Sequence, residues 1–223
     1  MPVWQVFYEQ VKDKNFVIIS AAQDTGGEAA AGKIFDDAHV TYISVIDTNH
    51  TLSTLFNLVN VPSGIWVDEE GKIVRINEGT YAAEHKIGTL VFGSDIYPKA
   101  VMDWIEKGAK SEFVWTPEQV KQNLIPRTAD GEKAESTFKL GVYFHEKGDK
   151  ERAEKYWKEA ERLNPDSWNF HRQDWSFTPN EANVNFFKKV RTLGDKPYYK
   201  PMQLPGEAPP PALPGQTKTP AKN

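Results

Sequence analysis

Along the first hundred residues, apolar positions switch between helical and extended spacing. Val3, Val6, Phe7 and Val11 fall on one helical face, Lys12 to Asn15 interrupt them, and Phe16 to Ser20 is a short apolar, partly β-branched run. This predicts a helix followed by a buried strand. Thr25, Gly26 and Gly27 form a turn, after which Ala30, Ile34, Phe35 and Ala38 mark the inner face of a second helix. A strand is expected around Tyr42 to Ile46, then a helix carrying Leu52, Leu55 and Phe56, opened by Asp47 to Asn49 and ending near Asn60. Ile65 to Val67, the turn Glu69 to Gly71 and Lys72 to Asn77 read as an antiparallel hairpin, with Ile73 and Arg75 alternating with Val74 and Ile76. Residues 80 to 97 carry no regular pattern, and Val101, Met102, Trp104 and Ile105 give a helix that Gly108 ends.

Beyond that point helical spacing dominates. Thr116, Pro117 and Gln119 predict a capping box with proline at the first helical position, and Thr178, Pro179 and Glu181 repeat the arrangement. The expected organisation is therefore an α/β unit over residues 1–112, an all-α unit over 113–195 and a tail over 196–223. From Pro201 onward that tail is rich in Pro, Gly, Ala and Lys, too poor in apolar surface to offset the entropy of ordering it.

Composition narrows the function classes. At 223 residues with 39% hydrophobic positions the chain can build one full domain and a smaller second unit. A net charge of -4 with intermixed signs gives no electrostatic footprint for nucleic acid. No apolar stretch approaches the ~20 residues that cross a bilayer, and Met1 is followed by Pro2 and an amphipathic segment rather than a signal peptide. As it stands the chain reads as unexported, and an envelope location stays open only with an upstream segment. The absence of cysteine excludes disulfides, thiolate nucleophiles and thiolate metal sites together.

The order helix, strand, helix, strand, helix, hairpin, helix, together with Asp47, Val61-Pro62 and the acidic turn Asp68-Glu69-Glu70-Gly71-Lys72, resembles the redoxin and TlpA/ResA branch of the thioredoxin superfamily, which includes the AhpC/TSA peroxidases. The resemblance implies a thiol-disulfide oxidoreductase or thiol peroxidase. It also implies that Pro62 is cis, and that Val61, Pro62 and Ser63 present backbone groups to an extended peptide substrate. Pro2 would match the proline that follows the family's Cys-x-x-Cys motif. The motif, and the central strand before it, would then precede Met1. That strand belongs between Phe16–Ser20 and Ile65–Val67, and without it two rows of backbone groups go unpaired at about 1 to 3 kcal/mol each, against a typical total stability of about 5 to 15 kcal/mol. The expectation is a chain that begins at an internal methionine of a longer protein, folds poorly alone and has no redox turnover of its own; the alternative is a degenerate, redox-dead domain in which the strands at 16–20 and 65–67 have closed the gap.

Residues 134–167 place Leu140, Gly141, Phe144, Gly148, Ala153, Trp157, Ala160 and Pro165 where a tetratricopeptide (TPR) repeat has its signature, with Thr137 replacing the first aromatic. A single repeat cannot bury both its faces, so residues 117–124 and 179–191 are the expected flanking helices. The aromatic run Trp168, Phe170, Trp175 and Phe177 either caps the repeat or lines a site. The helical unit implies a protein or peptide partner, and a non-enzymatic interaction module is the alternative function. Gly27, Gly32 and Lys33 fit a phosphate-loop spacing, but Ile34 stands where a hydroxyl is required and Glu28 adds charge of the wrong sign. His39, His50, His85, His145 and His171 are scattered without metal-ligand spacing, and the adjacent pairs Asp36-Asp37 and Glu69-Glu70 diverge instead of facing one another. No cofactor, metal ligand or catalytic residue is expected within the chain.

Overall fold

The computed structural model describes residues 2–87, 90–124 and 126–207. It is a mixed α/β protein in which short strand pairs precede a run of helices. Helix α1 (Pro2–Val11) leads to β1 (Ile19–Ala22), α2 (Glu28–Asp37), β2 (Ile43–Ile46) and α3 (Thr51–Phe56). The hairpin β3 (Ser63–Val67) and β4 (Ile73–Glu78) follows, then a second hairpin, β5 (His85–Ile87) and β6 (Leu90–Phe92), and helix α4 (Ile96–Lys107). The first strand lies later than its apolar run predicts, because Phe16 and Ile18 turn into the core before the ladder begins. The β5–β6 pair was not legible in the irregular 80–97 stretch.

Three separate two-stranded ladders replace one sheet. β1 pairs with β2 in parallel, in register Ile19 with Ile43 through Ala22 with Ile46. β3 pairs with β4 antiparallel, with a register shift after Trp66, and β5 pairs with β6. β1 and β3 are not hydrogen-bonded to each other, yet both border one core. Trp104 of α4 stacks on Trp66 of β3 with ring centroids 4.8 Å apart and meets Phe16, just ahead of β1, edge-on at 6.0 Å. Phe7 and Val11 of α1, with Ala100 and Val101 of α4, complete that core. The other side of the β1–β2 ladder is apolar and open: Ile19 is 67% exposed and its register partner Ile43 54%.

The helical unit comprises α5 (Pro117–Asn123), α6 (Ala129–Glu146), α7 (Lys150–Leu163), α8 (Trp168–Ser176) and α9 (Pro179–Arg191). α6 and α7 form a close antiparallel pair. A side chain at Gly141 would put its Cβ 2.5 Å from the indole of buried Trp157, so only glycine allows this crossing. Phe138, Ala153 and Ala160 fill the rest of the interface, and Phe170 of α8 stacks on Phe138 at 4.5 Å. Phe144 stacks on Tyr156 at the rim. Gly148 makes the intervening turn at φ 75°, and Pro165 lies just past the end of α7. Leu140 is 38% exposed and faces away from the crossing it was expected to line.

Three further placements differ from the expectations. α5 packs on β4 rather than flanking the helical pair, because Trp115 N donates to Val74 O at 2.9 Å and ties residues 113–124 to the first unit. Thr116 makes the expected capping box, whereas the Thr178 side chain caps nothing. The tail is structured through residue 207, with Met202 and Leu204 buried in the first unit's core; residues 208–223 lie outside the described residues. No helix among the described residues is long and apolar enough to cross a membrane.

Candidate functional site

Val61, Pro62 and Ser63 sit together where the α3–β3 loop enters β3, and the Val61–Pro62 peptide is cis. All three are half-buried. The loop is held from several directions. Val61 N donates to the Asn60 side chain at 3.0 Å, and the Ser63 hydroxyl donates to Asn60 O at 2.7 Å. Pro62 O accepts from Gly79 N at 2.7 Å and Thr80 N at 3.2 Å. Glu78 accepts from Val59 N at 2.8 Å, and burial raises its pKa against that bond. The remaining carbonyl, Val61 O, accepts from the Tyr199 hydroxyl at 2.8 Å. Two of the carbonyls expected to face a peptide are therefore engaged by the chain itself, and a peptide entering here displaces the Tyr199 hydroxyl from Val61 O.

Beside this loop is a cavity of about 110 Å³ between the first unit and α8, lined by Gln23, Asp24, His50 and Val61 on one side and by Asn169, Arg172, Gln173 and Ser176 on the other. His50 is its most perturbed group. At 2% exposure its imidazole is held down to about pKa 4, chiefly because burial penalises the charged ring. Its tautomer follows from its neighbours. Gln173 Oε1 accepts from Thr25 N at 2.8 Å and lies 2.9 Å from His50 Nε2, while the Gln173 amide nitrogen donates to Ser176. The Gln173 amide oxygen can only accept, so Nε2 carries the proton and shares it with Thr25 Oγ1 at 3.1 Å. Nδ1 is left an unpaired acceptor, as is Asn169 Oδ1. Through Nε2 the neutral imidazole links the first unit to Gln173 of α8 and acts as a strut between the two. Asn169 completes the seam by donating from its backbone to Val59 O at 3.1 Å and from its side chain to Leu58 O at 2.7 Å.

The chemistry available is recognition through hydrogen bonds and apolar contact. Ser63 spends its hydroxyl on Asn60, Asp47 spends its carboxylate on Thr51 N and Leu52 N at 2.9 and 2.8 Å, and Lys33 is paired with Asp37 within α2. Among the described residues no group of three or more His, Cys, Asp or Glu side chains could hold a metal ion. A larger surface groove by Phe35, Asp36, His39, Val40 and Ser44 is open to solvent. Sequence reasoning missed residues that shape the site: Tyr199, whose hydroxyl reaches Val61 O, Gly79, whose amide reaches Pro62 O, and His50, Asn169 and Gln173 along the seam. For Tyr199 the signal was present in Tyr198-Tyr199, Met202 and Leu204, whose apolar bulk is unusual for a segment without structure.

Comparison with family models, curated proteins and solved structures returned no match.

Proposed function

We propose that the chain is a thioredoxin-type scaffold of the redoxin branch, joined to a TPR-like helical unit, and that it binds extended polypeptide at Val61, Pro62 and Ser63 without performing thiol chemistry itself. The observation that carries this is the pair of strands β1 and β3, each in a two-stranded ladder of its own, with Trp66 of β3 and Phe16, three residues ahead of β1, meeting on Trp104. In the family this interval holds the strand that delivers the cysteines. Here it offers two edges to an added strand, the usual way a sheet takes up extended polypeptide. Without cysteine there is no nucleophile for disulfide exchange. The 223-residue chain is expected to leave insulin disulfides intact. Fusing a β-strand followed by Cys-x-x-Cys directly ahead of Pro2 should produce dithiol-dependent insulin reduction. A folded fusion with free thiols and no activity would contradict the proposal, as would activity in the chain alone.

The second reading, an interaction module working through the helices, is favoured by the outer face of α6. There Leu140 and Tyr143 are 38% and 50% exposed, with Lys147 lying over the Tyr143 ring. A partner bound through that face would be lost on Tyr143→Ala and kept on alteration of the Val61–Ser63 loop.

A further inference from the structure

The segment Tyr198 to Leu204 crosses the first unit without joining any strand ladder, held by side chains that read its main chain. Asn60 Nδ2 donates to Tyr198 O at 3.2 Å. Arg75 and Asn77, adjacent on the same face of β4, both donate to Met202 O, at 2.8 and 3.1 Å. In return the Tyr199 hydroxyl donates to Val61 O. Three of its side chains are seated against the first unit. Tyr199 lies over Gly79, where any Cβ would come within 2.9 Å of the ring, and touches Tyr81 through its hydroxyl at 2.8 Å. Met202 and Leu204 are 9% and 5% exposed. Donors aimed at carbonyls, with pockets for spaced side chains, are how proteins bind extended peptides.

Several features make this segment a resident ligand rather than a permanent part of the sheet. It is preceded by an exposed turn with Gly194 at φ 57°. Pro197, Pro201 and Pro205 stiffen it, lowering the entropy lost on docking. Its far end is shaped from within: the Glu207 carboxylate accepts from Met202 N at 2.8 Å and Leu204 N at 3.3 Å, bonds that travel with the segment. The groove behind it carries a guanidinium whose hydrogen bonds all go to neutral acceptors, Phe113 O, Asn77 Oδ1 and Met202 O. Emptied, it would present the Arg75 and Asn77 donors that Met202 O now satisfies, and another peptide carbonyl at the same place would take them up.

We propose that Asn60, Val61, Arg75, Asn77, Gly79 and Tyr81 form a peptide groove which residues 198–204 occupy in cis, and which a partner peptide able to take the same left-handed bend at the Gln203 position (φ 58°) fills by displacing them. The partner carries tyrosine followed at the third and fifth positions by apolar side chains. The proposal shares only the Asn60–Ser63 loop with the function proposed above, and its failure would leave the activity of the cysteine fusion unaffected.

The test uses the full chain with a protease site inserted between Gly194 and Asp195, and a fluorescein-labelled peptide of residues 197–207 as probe. Fluorescence anisotropy should show weak binding to the intact chain. At least tenfold tighter, saturable binding is expected after cleavage, and also in the uncut Tyr199→Ala chain, while a probe with alanine at both Tyr199 and Met202 should bind to neither. Equal affinity for intact, cleaved and Tyr199→Ala chains would overturn the proposal. Should cleavage or substitution unfold the chain, recovery of its near-ultraviolet circular dichroism on adding the probe supports the groove, and no recovery means the segment is an integral part of the fold.

Discussion

Arg75 and His50 are two buried side chains that carry or could carry charge, and each is handled differently. Arg75 is 2% exposed, and burial brings its pKa down to about 10. Its charge is offset by three neutral oxygens and by the faces of Trp66 and Trp115, whose ring centres lie 5.6 and 4.5 Å from the guanidinium carbon. Arg75→Ala orphans those acceptors, and a loss of about 3 kcal/mol in urea unfolding is expected. An unchanged midpoint would show that the acceptors find other partners. His50 avoids the problem by staying neutral. Because its folded pKa is depressed from 6.5 to about 4, the unfolded chain binds the extra proton first, so its contribution to stability is full above pH 6.5 and is lost as pH falls towards 4. Burial raises the pKa values of Glu78 and Glu135, which gives these groups the opposite sign, with stability lost as pH rises through their folded pKa. The informative measurement is therefore the difference between wild type and His50→Gln. Over pH 6.5 to 4 the wild type should lose about 2 to 3 kcal/mol more than the variant; parallel curves would mean the imidazole is solvated.

At the scale of elements, the sequence announced what local rules control and concealed what distant contacts control. The existence of helices α1, α2 and α4 and the turn chemistry of the β3–β4 hairpin were readable, because each depends on neighbours a few residues away, but the inward face was not: Val6 and Ile34, expected inside, are 62% and 57% exposed, and α2 buries Ala31 and Gly32 instead. Asp68 shows why: it accepts from Glu70 N and Lys72 N and so shapes its own turn. Arg75 was not readable, since a charge at a strand position says nothing of the carbonyls of Phe113 and of Met202, 38 and 127 residues distant, that allow its burial. The site was half legible in the same sense: the loop could be marked from its residues, but not the Tyr199 hydroxyl that reaches it from the tail. Identical signals also diverge. Thr116 and Thr178 share a capping pattern, yet only Thr116 accepts from the third-position backbone. Thr116→Ala should cost about 1 kcal/mol and Thr178→Ala nearly nothing. Equal losses in thermal unfolding would contradict the assignment. In the α6–α7 pair, Gly141→Ala drives a methyl into Trp157, and a loss of about 1 to 3 kcal/mol with a disturbed tryptophan emission is expected. A neutral substitution would mean the helices do not cross this closely.

Across the whole molecule, one segment binds the two units together. Tyr198 meets Trp168 edge-on at 4.5 Å and accepts from Arg172, while the next residue, Tyr199, faces Gly79 and Tyr81 of the first unit. The Asn169 and Gln173 hydrogen bonds join the same two bodies a short way off. What the chain leaves unclosed is the interval between β1 and β3, and its use as a place for an added strand underlies the proposed function. Amide hydrogen exchange resolved by residue across 19–22 and 63–67 measures this directly. Open edges require alternation, with every second amide in each strand protected by its ladder partner and those between exchanging at close to the unprotected rate. Uniform protection along both strands would show that they have zipped together, leaving no place for a strand to enter.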